Sequence, residues 1–192
     1  ALMINSSDLD FSKNYKKQLS KYFLNKKKSK ISVIRFATHL KDIKKVVPHI
    51  KYLKKNGYKI AVNLMQIDKV KNSSLSEVLK LLTEIKSVDV FYFADSFGNL
   101  NPQNIEKICR NIKNNWTKDF GFHAHDNCGF ALQNCLSAIN HGAKWIDSTI
   151  QGRVEEPVMS LQKICCVLYK NIKISNTILN QYFSYHKIRS NH

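Results

Sequence analysis

The stretch Phe120-Gly121-Phe122-His123-Ala124-His125-Asp126-Asn127 decides how the chain is read. Its first half is apolar without interruption, the pattern of a parallel strand covered on both faces. Its second half turns polar and ends in Asp126 and Asn127, either of which suits the start of a helix. Side chains at i and i+2 of a strand share a face, so His123 and His125 project together while small Ala124 turns the other way. Two neutral imidazoles converging at a strand end make half of a metal site, which carboxylates or waters would complete. A pair of structural histidines is the plainer alternative for the same residues.

Similar apolar runs lie on either side: Ile31 to Ala37, Lys59 to Met65, Val88 to Ala94 and Trp145 to Ile150. They recur roughly every 30 residues, the length of one βα unit. Between them, apolar residues fall at three and four spacing, as on amphipathic helices. Thr38 is a candidate cap for the first of these helices, which ends at Asn56-Gly57, and Pro48 inside it should kink or divide it. Ser74 with Glu77 reads as a capping box, Asn101-Pro102 as a cap followed by a first-turn proline, and His141-Gly142 as a helix stop.

Five βα units are thus predicted, an α/β chain that forms part of a (β/α)8 barrel, since a complete one needs about 250 residues. Residues 1 to 30 read as one helix, Phe11 to Leu24, without a strand. After Ile150 the pattern is helical, with Pro157 to Tyr169 and Thr177 to Tyr185 as the pieces. One domain over 1–192 is expected, a fragment of a barrel whose opening strands are absent. Open strand edges in such a sheet favour self-association into a homo-oligomer.

The net charge of +17 permits attraction to nucleic acid or to small anions. Of the 31 basic residues, however, 27 are Lys and 4 are Arg (Arg35, Arg110, Arg153, Arg189), whereas groove and phosphate recognition draws on the bidentate geometry of Arg. The lysines are spread over every helix, and the run Lys26-Lys27-Lys28-Ser29-Lys30 reads as a solvated loop. A nucleic-acid-contacting α/β protein is therefore the weaker reading. The five cysteines form no CxxC pair and read as reduced core thiols. No run reaches the ~18 apolar residues of a membrane span, and no signal-peptide core is present, so a cytoplasmic location without membrane contact is the expectation.

Chemistry in parallel α/β folds sits at the carboxyl ends of the strands. Asp95 ends the apolar run Val90 to Ala94, and it suits either catalysis or capping of the following turn. Asp147 fits a partner that orients a histidine. Thr149, two residues on, is a candidate for the same cavity. Arg35 and Asn63, polar residues inside apolar strands, are candidates for binding a carboxylate or carbonyl, or else interior residues satisfied by their neighbours.

Three segments in this order, Phe93-Ala94-Asp95-Ser96-Phe97-Gly98, Gly121 to Asn127 and Ile146-Asp147-Ser148-Thr149-Ile150-Gln151-Gly152, resemble the DRE-TIM metallolyases. Their catalytic domain is also called the pyruvate carboxyltransferase or HMG-CoA-lyase-like domain. The likeness covers about residues 31 to 170, reads as barrel units three to seven, and is strongest to the 4-hydroxy-2-oxovalerate aldolase type. It implies a divalent cation (Mn2+, Mg2+ or Zn2+) on His123 and His125, and a small anionic 2-oxo acid whose carbon-carbon bond is made or broken through an enolate. Asp95 and Thr149, from their places at the strand ends, are the candidate catalytic residues for such chemistry, and Arg35 and Asn63 the candidate substrate-binding ones. The sequence departs from the family in two places. No strand in residues 1 to 30 supplies the family's Asp and Arg, and the loop Gln151 to Pro157 is short and charged. A catalytically degenerate relative serving as a binding module is the alternative implied by those departures.

Overall fold

A computed structural model describes residues 1–23 and 25–148. Six strands lie side by side in sequence order, β1 (Leu2–Asn5), β2 (Val33–Thr38), β3 (Lys59–Leu64), β4 (Val90–Asp95), β5 (Phe120–Ala124) and β6 (Trp145–Ile146), every neighbouring pair parallel. The helices α1 (Tyr15–Ser20), α2 (Ile43–Lys55), α3 (Asn72–Glu84), α4 (Pro102–Asn115) and α5 (Ala131–Asn140) make the crossovers. Among the described residues β1 and β6 do not pair with each other, so the sheet is a barrel wall left unclosed.

The outer face of this wall holds the main core. Ile34, Phe36, Ile60, Val62, Leu64, Phe91, Phe93 and Phe122 pack against the apolar stripes of α2 to α5, such as Val46, Ile50, Leu79, Leu82, Ile105 and Ile112. The Phe93 and Phe122 rings stack with centroids 4.7 Å apart. Each such side chain contributes about 1.5–3 kcal/mol on burial, which makes this layer the chief source of stability.

The structure adds a sixth strand to the five predicted. Leu2–Asn5 pairs in parallel with β2 from Leu2↔Ile34 to Asn5↔Ala37. It is four residues long, and Leu2 and Met3 are 40% and 62% exposed, so it lacks the buried apolar run that marks β2 to β5. The helix predicted over Phe11 to Leu24 is shorter, Tyr15–Ser20, and is capped by Asn14, whose side chain accepts from the backbone N–H of Lys16 and Lys17.

Thr38 completes β2 instead of capping α2, which follows a 3-10 turn over Leu40–Asp42. Pro48 neither ends nor divides α2. It sits on the exposed side of the helix, so the Lys44 carbonyl that loses its partner also faces water. The Ser74 and Glu77 box does not form, because α3 begins two residues earlier, at Asn72. Asn101-Pro102 does start α4, with a reciprocal box to Asn104. Residues 149–192, including both predicted C-terminal helices, lie outside the described residues.

Candidate functional site

The inner face of the wall differs in kind. Toward the amino ends of the strands, Val33, Ala61 and Val90 form a small apolar plug with Tyr92. Above it the inward positions become polar: Arg35, Asn63, Tyr92, His123 and Asp147.

Register explains which of these meet. The hydrogen-bonded row Asn5–Ala37–Asn63–Tyr92–Gly121–Trp145 runs across all six strands. In an eight-stranded barrel of shear 8, residues at one height drift from such a row by about one residue per strand. Arg35 is in line with Val90 on β4 and, by continuation, with Ala143 before β6. Adding two and four residues brings Tyr92 and Asp147 level with it. The contacts agree. The Arg35 guanidinium carbon lies 3.9 Å from the centroid of the Tyr92 ring, and its Nη1 is 2.5 Å from Asp147 Oδ2. Strands four places apart thus touch, and the wall is strongly curved.

The same Asp147 oxygen accepts from His123 Nδ1 at 2.8 Å. Burial pushes the Asp147 carboxyl up, but the hydrogen bond from His123 and the Arg35 charge outweigh it and hold the group below its ordinary value. Asp147 is thereby kept ionised, and His123 is fixed with its proton on Nδ1, leaving Nε2 as the available donor atom. His123 and His125 do share a face, with ring centroids 5.0 Å apart and planes inclined at 69°. Asn63 lies level with His123 by the same counting. It is 4% exposed, and its Oδ1 finds no hydrogen-bond partner among the described residues. Nε and Nη2 of Arg35 are likewise buried without a partner there. Tyr92, which sequence reasoning passed over as one more apolar residue of its strand, is raised to about 12 by burial and by the nearby Asp147 charge, and stays a neutral phenol.

Asp95 is not brought together with the histidines. Asp95 pairs in register with Ala124, and Ala94 with His123, so its side chain lies on the opposite face. Fully buried, it accepts from the backbone N–H of Asn99 and Leu100 at 3.2 and 3.1 Å and shapes the turn that leads into α4. Burial holds its carboxyl above the ordinary value. Thr149 lies outside the described residues.

Two close approaches tie the site together. A Cβ on Gly98 (φ +59) would come within 2.7 Å of Asn127 N and 3.0 Å of the His125 carbonyl. The Ser96-Phe97-Gly98 turn therefore lies directly on the backbone that carries His125, and Asn127 Nδ2 donates to the Phe97 carbonyl at 3.1 Å. A Cβ on Gly121 would sit 2.5 Å from the Tyr92 ring and 2.8 Å from Trp145, so only glycine lets these two flank β5. The glycines were visible in the sequence, but the contacts that require them were not.

Cys109 and Cys135 are buried, with thiols pushed up by burial, Cys109 to about 12, which suits inert core residues. No described helix is long and apolar enough to cross a membrane.

A curved parallel α/β wall with two histidines and an aspartate at its carboxyl-end rim is an arrangement of the TIM-barrel type. The HMGL-like family model matches residues 20–157, and the chain belongs to that family. It is 35% identical over 120 residues to a 4-hydroxy-2-oxovalerate aldolase of Carboxydothermus hydrogenoformans, covering 62% of this chain and 35% of the relative. A protein of the same name from Geobacillus thermodenitrificans is 32% identical over 121 residues, with 63% and 35% covered. The chain thus spans about a third of the length of these curated relatives. Among solved structures, the N-terminal domain of a candidate aldolase from Bacteroides vulgatus superposes with a TM-score of 0.77 at 24% identity, covering 99% of this chain and 62% of that one. The HMG-CoA lyase of Bacillus subtilis gives 0.68 at 14% identity, with 73% and 56% covered. At these identities the structural matches speak for the fold.

Proposed function

We propose that the chain carries the histidine-bearing half of a divalent-metal-dependent lyase centre that makes or breaks a carbon-carbon bond in a 2-oxo acid. The supporting observation is the His123–His125 pair on one strand face, with Asp147 accepting from Nδ1 of the first. Metal-bound histidines commonly carry such a carboxylate partner, which fixes the tautomer and raises ligand basicity. The residues present fit two positions of a metal's coordination set. No group of three or more His, Cys, Asp or Glu side chains suited to a metal occurs among the described residues, so the remaining positions fall to water, substrate or residues elsewhere.

When bound, the cation supplies Lewis-acid stabilisation of the charge that develops on the 2-oxo oxygen. The chain's own residues do the rest. Arg35 offers Nε and Nη2 to the substrate carboxylate while its Nη1 stays on Asp147. Asn63, level with His123, faces the same space and presents its amide to the substrate. Tyr92 holds the Arg35 guanidinium in plane by stacking beneath it, worth about 0.5–2 kcal/mol in a partly dry site.

The direct test follows the methyl protons of pyruvate in deuterated buffer by NMR, with the chain and Mg2+ or Zn2+. Deuterium uptake that requires both chain and metal, and falls at least tenfold in His123→Ala, is the expected result. Exchange no faster than with metal alone would remove the lyase reading and leave a binding module without catalysis.

A further inference from the structure

Beside the histidine site the loops after β2 and β3 border an open hollow of about 520 Å³, within the range of ligand pockets. We propose that it binds a second anionic group of the substrate, so that the preferred 2-oxo acid carries a carboxylate or phosphate at its far end. The proposal rests on the reading above and narrows its substrate class.

The polar residues lining the hollow are His39, Lys41, Gln66 and Lys69, and none is acidic. Of the acids in the same two loops, Asp42 pairs with Lys45 at 2.8 Å, while Asp68 does not line the hollow and its buried Oδ1 finds no hydrogen-bond partner among the described residues. Lys41 and Lys69 make no ion pair among the described residues. Lys69 Nζ lies 4.2 Å from the centroid of the Phe97 ring, which positions the ammonium without neutralising it. Two unneutralised cations facing one cavity suit an oxyanion that accepts hydrogen bonds from both.

The wall is also held in shape at a cost. Gln66 adopts φ 53 and ψ 50, the left-handed region that a non-glycine residue seldom occupies. Its backbone N–H donates to Ser96 Oγ at 2.9 Å, fastening the hollow to the same turn that supports His125. The position relative to the chemistry follows from register. Leu64 pairs with Phe93 and Ala94 with His123, so Met65, which lines the hollow, lies on one row with Ala94 and His123. Two strand spacings amount to about 10 Å, and the residue between is an alanine. A substrate with its 2-oxo end at the histidines therefore extends over Ala94 into the basic hollow.

The test measures binding to the full chain, with Mg2+ present, of pyruvate, 2-oxoglutarate, 2-oxoadipate and the phosphonate analogue of 2-oxoadipate by titration calorimetry. At least one dianion is expected to bind tenfold more tightly than pyruvate, and whether the carboxylate or the phosphonate leads identifies the distal group. In K41Q/K69Q, both positions exposed, the preference falls to within twofold while pyruvate binding stays unchanged. K16Q/K17Q, which removes the same charge from α1, keeps the tenfold preference and separates the hollow from the field of a chain of net charge +17.

Equal binding of pyruvate and every dianion, a preference that survives K41Q/K69Q, or one lost equally in K16Q/K17Q would overturn the proposal. Metal-dependent pyruvate binding without preference sinks this inference alone. Failure to bind any of the four acids sinks the lyase reading with it.

Discussion

The two faces of one sheet are built to opposite rules. The outer face is mainly aliphatic and aromatic and packed by helices, its buried Asp95 answered by the backbone N–H groups of Asn99 and Leu100. The inner face is polar above a small plug, and several of its buried nitrogen and oxygen atoms have no partner among the described residues. Unpaired buried polar groups cost about 1–3 kcal/mol each; Nε and Nη2 of Arg35 and Oδ1 of Asn63 are such atoms on the inner face, while others, such as Oδ1 of Asn134 on α5, lie elsewhere among the described residues. The difference shows that, within strands that are apolar nearly throughout, Arg35, Asn63 and His123 fall at inward positions, so the two faces of one wall differ in kind.

The largest expected effect breaks the outer face. Phe93→Ala removes one partner of the stacked pair and should destabilise the chain by about 3–5 kcal/mol, read as a lower urea midpoint at unchanged m. A loss below 1 kcal/mol would mean that the outer layer is not the core. Gly121→Ala attacks the inner face. Its methyl would strike Tyr92 and Trp145, so a cost of about 1–3 kcal/mol is expected from overpacking, together with a shift of Tyr92 off the Arg35 guanidinium visible in aromatic NMR. An unchanged Tyr92 environment would contradict the stagger that places these residues together.

The smallest effect sharpens the contrast on the helix side. His49 is buried against the Phe11 and Tyr15 rings, and burial depresses its pKa below 6.5. The folded state therefore binds fewer protons than the unfolded one. The neutral ring's contribution is complete above about pH 6.5 and is lost as pH falls from there toward the depressed value. His49→Phe should flatten the fall in stability between pH 7 and 5, and a fall as steep as in the parent would show that other groups cause it.

Much of this was legible beforehand for identifiable reasons. Strands β2 to β5 announce themselves because burial on both faces forces nearly unbroken apolar runs. Asn101-Pro102 and Asp126, which accepts from the Ala131 N–H at 3.0 Å, are local signals that tertiary structure leaves alone. β1 was missed because it is short and half-exposed. The helix start at Thr38 was misplaced because a 3-10 turn intervenes, which leaves no strong mark in sequence, and the start at Ser74 because α3 begins two residues earlier without a side-chain cap. At the site, the parity of His123 and His125 and the role of Asp147 as the histidine's partner could be read along single strands. The joining of Arg35, Tyr92 and Asp147 could not, because it depends on stagger accumulated over four strands. Asp95 reads the same way in sequence whether it caps a turn or faces a substrate, and only the register with Ala124 places it.

The central claim is that two imidazoles, one steered by Asp147, hold a divalent ion at the rim. Titration with Co2+ followed by visible absorption tests it directly. One saturable site is expected in the parent, abolished in both His123→Ala and His125→Ala and weakened about 10–100-fold in Asp147→Asn. A titration without saturation, or one that both histidine substitutions leave unchanged, would contradict the account.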